Sequence, residues 1–234
     1  MADIDLRGEL WSNDWADVLR WCGYRDITCP SDIRQALEAA GGEDVTVLIN
    51  SPGGDMTVGA EIRSMLRRYP GKTTALFQGY GASAATMAAS GCTVIQSEPG
   101  ALLCYHNPSS VTQGDFREHQ RSAESLENAR NCILEQYQAR HGTKSREELI
   151  ALMDKDVYIS PSQALDYGLI DEIVALDGGV ENPGSFVAVE GGHIRLTSAM
   201  VQRYQAHLAR QQADAEAKDK ASRVLAEIRA LAEF

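Results

Sequence analysis

No run of apolar residues in this 234-residue sequence approaches the ~20 needed to cross a bilayer. The first residues, 1–11, are acidic and lack an apolar centre, so no secretory leader is read there and an intracellular location is expected. Cationic residues are in deficit, 22 Lys and Arg against 33 Asp and Glu, for a formal charge of −11. Such a surface repels nucleic acid and anionic lipid, and neither is expected as a partner. Cysteine is sparse: Cys22, Cys29, Cys92, Cys104 and Cys132 are odd in number, widely spaced and without a CxxC pair. That spacing argues against a disulfide framework or a structural zinc site, and reduced thiols are expected. The histidines show no HxH or HExxH pattern, so no metal is expected, and Gly53-Gly54 lacks the P-loop lysine of a phosphate site.

What is present suits a globular protein: 44% hydrophobic and 24% charged residues are enough for a sizeable core. Alternating residues 3–10 read as a strand, and 14–21 as a short helix. From Ser31, a capped helix carries Ile33, Ala36, Leu37 and Ala40 and stops at Gly41-Gly42. Val45–Ile49 reads as a strand, 50–54 as a turn and 56–69 as a helix. Strands follow at 73–78, 93–96 and 101–106, with a helix of small residues at 82–90. A long polar-faced helix is expected over 115–140. Shorter helices at 145–154 and 160–168 then frame a strand at 157–159, and a last strand runs over 169–174. Short strands alternating with helices predict an α/β fold with mostly parallel pairing. The expected division is a domain over 1–176, a glycine-rich linker over 177–196 and a helical or partly disordered tail over 197–234.

Acyl transfer at neutral pH needs a nucleophile, a base, an orienter for the base, and donors for the oxyanion. Ser83 starts the small-residue helix just after a strand, where free backbone N–H groups suit an oxyanion. By itself the segment reads more readily as tight helix packing with a capping serine. Gly53-Gly54 falls between a strand and a helix, the end of an α/β sheet where ligands bind, although Ser-Pro-Gly-Gly also makes a plain turn. His106 closes an apolar strand and can face a cleft; taken singly it reads as a structural histidine. Asp156 precedes a short strand and could orient an imidazole, and Asp154, two residues away, competes for that part.

Together these segments resemble the Clp protease proteolytic-subunit (ClpP) family over roughly residues 4–173. The resemblance is carried by Ile49-Asn-Ser-Pro-Gly-Gly54, Gly79-Tyr-Gly-Ala-Ser-Ala-Ala85, Tyr105-His-Asn-Pro108, and Asp156-Val-Tyr-Ile-Ser160 with the stretch to Ile173. It implies a ClpP/crotonase-like superhelix of repeated β-β-α units with a protruding long helix, and a helical tail. It also implies a serine endopeptidase with the triad Ser83, His106 and Asp156, preferring Asp156 over Asp154. Gly54 and Ala84 become the oxyanion hole, and Gly53, Asp55, Met56, Ser109 and Val111 line a polypeptide substrate held in extended form between 55–57 and 109–113. A homo-oligomeric ring is expected, and no cofactor.

Three departures narrow the expectation. Housekeeping members carry a pore-lining segment before the first strand, whereas here the strand starts at Ile4; residues 11–27 form an insertion, and the sequence past Asp177 is unlike theirs. These features are similar to the phage and prophage head maturation proteases. That implies scaffold or capsid proteins as partners, ATP-independent action, and a bacterial host cytoplasm or procapsid as location. The alternatives are a housekeeping-type Clp peptidase working with an unfoldase, a crotonase-fold acyl-CoA enzyme, a serine–lysine peptidase, and an inactive assembly scaffold.

Overall fold

The structure, a computed structural model, describes residues 2–174 and 202–212. These fall into two compact units, one of 2–16 with 25–174 and one of 17–24 with 202–212. The expected linker at 177–196, and the expected tail apart from 202–212, lie outside the described residues.

The first unit is an eight-stranded sheet. Its strands are β1 (Ala2–Leu10), β2 (Ile27–Thr28), β3 (Val45–Gly54), β4 (Thr73–Ala82), β5 (Val94–Ser97), β6 (Leu102–Cys104), β7 (Tyr158–Ile159) and β8 (Glu172–Ile173). The order is β2-β1-β3-β4-β5-β8, with β6 branching from β4 and β7 pairing β6. Every pairing is parallel except β6 with β7. The helices are α1 (Asn13–Trp21), whose end lies in the second unit, then α2 (Pro30–Ala40), α3 (Met56–Arg68), α4 (Ala84–Ala89), α5 (Phe116–Gln138), α6 (Arg146–Met153) and α7 (Pro161–Asp166).

The core follows from strand register. Ile4 pairs Val47, which pairs Ala75; Leu6 pairs Ile49, which pairs Phe77. All six are buried, and each large aliphatic or aromatic side chain so buried contributes about 1.5–3 kcal/mol. On α3, Val58, Ile62 and Leu66 recur at helical spacing and are buried. Gly59 on that face lets α3 touch α4, because a Cβ there would stand 2.6 Å from the Ala84 carbonyl oxygen. The buried residues of α5 are confined to its C-terminal half, at Ile133, Leu134 and Tyr137, while Phe116 at its start is exposed.

Several boundaries differ from the sequence reading. The turn expected over 50–54 is extended, because β1 continues to pair with it through Glu9–Gly53 and Leu10–Gly54 after a bulge. Ser51 Oγ also donates to the Gly8 carbonyl at 2.6 Å, so ladder and side chain together hold Ser-Pro-Gly-Gly flat. β4 likewise runs on to Ala82, since Tyr80, Gly81 and Ala82 find partners in β6. Helix α2 is capped at Cys29, not Ser31; Pro30 sets the first helical φ, and the Asp32 carboxylate accepts the Cys29 N–H at 2.8 Å. β2, only two residues long, was too short to show a period.

In the second unit Trp21 is packed by the helix over 202–212. Its ring lies 5.9 Å edge-on from Tyr204 and 5.2 Å from His207, with the Arg203 guanidinium 5.9 Å above it. Among the described residues no helix is long and apolar enough to cross a membrane.

Candidate active site

Three short pieces of backbone meet around β6. On one side β6 pairs with β4, Ala82 opposite Cys104, and the Ser83 N–H donates to the Cys104 carbonyl at 3.0 Å. On the other side β6 pairs with β7 antiparallel, Leu103 opposite Ile159 and Cys104 opposite Tyr158. Continuing that antiparallel register outward brings His106 opposite Asp156. Residues remote in the sequence thus emerge at one edge: Ser83 after β4, His106 two residues past β6, and Asp156 two residues before β7.

Ser83 sits at the corner between β4 and α4 with φ 55° and ψ −128°. A non-glycine residue at positive φ is sterically costly and persists where its surroundings over-determine it. Here the surroundings are close. A Cβ on Gly53, itself at φ 88°, would stand 2.7 Å from Ser83 Cβ, 2.7 Å from Ala84 N and 2.6 Å from the Ala82 carbonyl oxygen. Only glycine permits the end of β3 to lie against this corner. From below, Thr86 Oγ1 donates to the Ser83 carbonyl at 2.7 Å. The single Thr86 hydroxyl proton is used there, so in the 2.7 Å contact with Tyr137 the phenol is the donor. Burial pushes the Tyr137 phenol up, away from ionisation, which keeps that proton in place.

His106 is half-buried, and its Nδ1 lies 3.7 Å from Asp156 Oδ1. That is an ion-pair distance and not yet a hydrogen bond. Asp156 is exposed and takes a positive φ of 47°. Asp154 faces a different pair of groups: its Oδ1 accepts from Asn107 Nδ2 at 2.8 Å and lies 3.9 Å from an Arg130 nitrogen. Among the described residues no hydrogen bond joins Ser83 Oγ to His106. Cys104 Sγ lies 4.0 Å from Asp156 Oδ1. Burial first, then the Asp156 charge, pushes its thiol up to about 11, so at neutral pH it is an inert filler and no rival nucleophile.

Gly54 ends β3 beyond the last β3–β4 register pair, Ser51 with Gly81. Gly54 lies against Leu10 of β1, and Gly53 just before it lies against Ala84, the first residue of α4. Asp55 caps α3, accepting from Thr57 N at 2.7 Å and Thr57 Oγ1 at 2.6 Å. Met56 and Thr57 are helical. The extended edge next to Ser83 consequently ends at Gly54, and the helix expected from Met56 follows. Ser109 and Val111 lie in an exposed segment without regular structure. Among the described residues no group of His, Cys, Asp and Glu is placed to hold a metal ion. Thr86 and Tyr137, separated by 51 positions, went unnoticed in the sequence. The nearest signal was Tyr137 on the apolar stripe of α5 with Ile133 and Leu134.

The fold and this edge define an α/β protein with a serine at a strained strand–helix corner after β4 and a histidine–carboxylate pair past the ends of β6 and β7. A Clp protease family model matches residues 34–177, more than half of the chain, and the chain belongs to that family. It is similar to the ATP-dependent Clp protease proteolytic subunit 1 of Streptomyces avermitilis, 31% identical over 135 residues, covering 56% of this chain and 61% of that one. The subunit 1 of Corynebacterium diphtheriae is 30% identical over 155 residues, with 63% and 74% covered. The ATP-dependent Clp protease proteolytic subunit of Nephroselmis olivacea is 31% identical over 127 residues, with 53% and 61% covered. The chain spans about three fifths of the length of the first of these relatives, 61%.

Proposed function

We propose that the chain is a serine endopeptidase acting on polypeptides, with Ser83 as nucleophile, His106 as base and Asp156 as orienter. The observation that supports this reading is the pairing of β6 with both β4 and β7, with the Ser83 N–H bonded to Cys104 at the end of β6 and His106, two residues on, 3.7 Å from Asp156. His106 turns Nδ1 toward Asp156, leaving Nε2 for the serine. In the reaction Ser83 Oγ attacks the scissile carbonyl carbon while its proton passes to His106 Nε2. The oxyanion rests on the N–H groups of Gly54 and Ala84. The C–N bond then breaks, the amine leaving with the proton from His106. Water, deprotonated by His106, opens the acyl-enzyme and returns the serine. The substrate backbone is taken as an added strand between the end of β3, at Gly53 and Gly54, and the segment holding Ser109 and Val111, with Asp55 and Met56 at its margin.

Of the branches within the family, the relatives' names support a Clp proteolytic subunit. We extend that to a homo-oligomeric ring, a superhelical subunit with α5 projecting, and a partner ATPase. A second reading, a head maturation protease cleaving scaffold or capsid proteins in a bacterial cytoplasm or procapsid, is favoured by α1, which lies outside residues 34–177. Cleavage of an unfolded protein with and without an unfoldase ATPase ring separates the two.

The peptidase reading is tested by reacting the intact protein with a fluorophosphonate and mapping the modified residue by mass. The expected adduct is on Ser83 alone. Labelling of another residue, or proteolysis by protein that does not label, overturns the assignment.

A further inference from the structure

The histidine and the carboxylate stand on loops that the sheet barely holds. β6 has three residues and β7 two, and only two register pairs join them. Past the pair, on its outer side, Asn107 Nδ2 donates to Asp154 Oδ1 at 2.8 Å. His106 and Asp156 therefore sit inside a small frame, with the β6–β7 ladder on one side and the Asn107–Asp154 bond on the other. Arg130 ties the frame to α5: one guanidinium nitrogen is 3.9 Å from Asp154 Oδ1 and another 3.7 Å from Glu127, one turn earlier on its own helix. Two atoms of this cluster, Asn107 Oδ1 and Arg130 Nε, are buried without a hydrogen-bond partner. One is an acceptor and the other a donor, so the cluster holds unmet polar capacity that a small tightening can satisfy.

We infer that Asn107, Asp154 and Arg130 are positioning residues that set the His106–Asp156 geometry from outside, resting on the peptidase reading above. The carboxylate of Asp154 acts through Asn107 and never on the imidazole. As the 3.7 Å His106–Asp156 separation closes on substrate, the frame draws in with it and holds the imidazole for proton transfer. A misplacement well under 1 Å is enough to slow such a step severalfold.

The inference predicts a specific pattern in the rate of Ser83 labelling by a fluorophosphonate and in casein cleavage. Asp154→Ala, which leaves the Asn107 amide without its acceptor, lowers both kcat and the labelling rate about fivefold with KM unchanged. Asp154→Asn keeps an acceptor oxygen and recovers most of the loss. Arg130→Met, which preserves the packing of the stem, gives an intermediate loss and keeps this variant set readable even if Asp154→Ala folds poorly. Wild-type labelling and turnover in Asp154→Ala and Arg130→Met overturn the inference while leaving the peptidase reading standing. Equal losses in Asp154→Asn and Asp154→Ala also overturn it, since they would trace the effect to charge and not to the Asn107 bond. Failure of the wild type itself to label at Ser83 removes both readings.

Discussion

The corner that carries Ser83 and the loops that carry His106 and Asp156 are held by different means. Ser83 is enclosed: its N–H is tied to Cys104, its carbonyl to Thr86, and Gly53 is pressed against its Cβ. Each of those contacts is to a buried element, and together they hold a backbone conformation the residue would not choose. His106 and Asp156 lie past the ends of strands of three and two residues, and the Asp156 side chain is 73% exposed. One half of the site is thus fixed by the fold and the other is more loosely held. In the peptidase mechanism proposed above, the rigid half would position the nucleophilic oxygen and the looser half would move the proton, where a histidine that serves first as base and then as acid gains from some freedom.

The largest expected effect is on the rigid half. Ser83→Ala leaves the fold intact, since the side chain makes no hydrogen bond that the described residues need, and lowers peptide hydrolysis by about 10⁴-fold or more. Assembly, followed by size-exclusion chromatography, stays as in the wild type. Retained hydrolysis would remove Ser83 from the reaction. Next comes the looser half. In enzymes with a buried triad carboxylate, replacing it by the amide costs about 10⁴-fold. Asp156 is mostly exposed and 3.7 Å from the imidazole, where water screens the interaction, so Asp156→Asn should cost roughly 10³-fold in kcat. A loss as large as that of Ser83→Ala would show that the pair closes far more tightly in the working state than in this one.

How much of this contrast the sequence contains depends on the kind of contact. Helices α3 and α5, the β3 and β4 cores and the glycine stop of α2 follow local periods and punctuation, and these are legible residue by residue. The 50–54 segment is not, because Ser-Pro-Gly-Gly has the chemistry of a turn and is kept flat by pairing with β1, some forty residues earlier, and with Gly81 of β4. The site divides in the same way. Ser83, His106 and Asp156 stand at element ends and carry recognisable motifs, so they could be singled out. The supports behind them, Tyr137 through Thr86 and Arg130 through Asp154, are pairings across the fold that leave no local pattern. Even the preference for Asp156 over Asp154 came from resemblance; in space it is the antiparallel register of β6 with β7 that sets the two acids against different partners.

Gly53→Ala probes the fit at the corner. The new methyl would lie within 2.7 Å of three backbone or Cβ atoms, and the φ of 88° disfavours any side chain. A flexible neighbour could give way, but here two of the three contacts are main chain. The expected result is destabilisation by about 2 kcal/mol and a fluorophosphonate labelling rate lower by roughly 10²-fold. If labelling falls no more than about threefold, the corner is more plastic than its contacts imply and the contrast with the loops weakens.

The smallest effect tests the same corner from beneath. Tyr137→Phe removes the phenol proton that Thr86 Oγ1 accepts, but Thr86 still donates to the Ser83 carbonyl. The mutant therefore loses one buried hydrogen bond and keeps the contact nearest the nucleophile. Loss of such a bond costs about 1 kcal/mol of stability, readable as a lowered Tm. Because Gly53 and Cys104 continue to hold Ser83 from two other directions, the labelling rate should change by less than about twofold, a small fraction of the stability change expressed at the reacting atom. A drop in labelling of about tenfold with unchanged Tm would reverse the argument. It would mean that the corner is held chiefly through Tyr137 on α5, and that both halves of the site hang from the same helix.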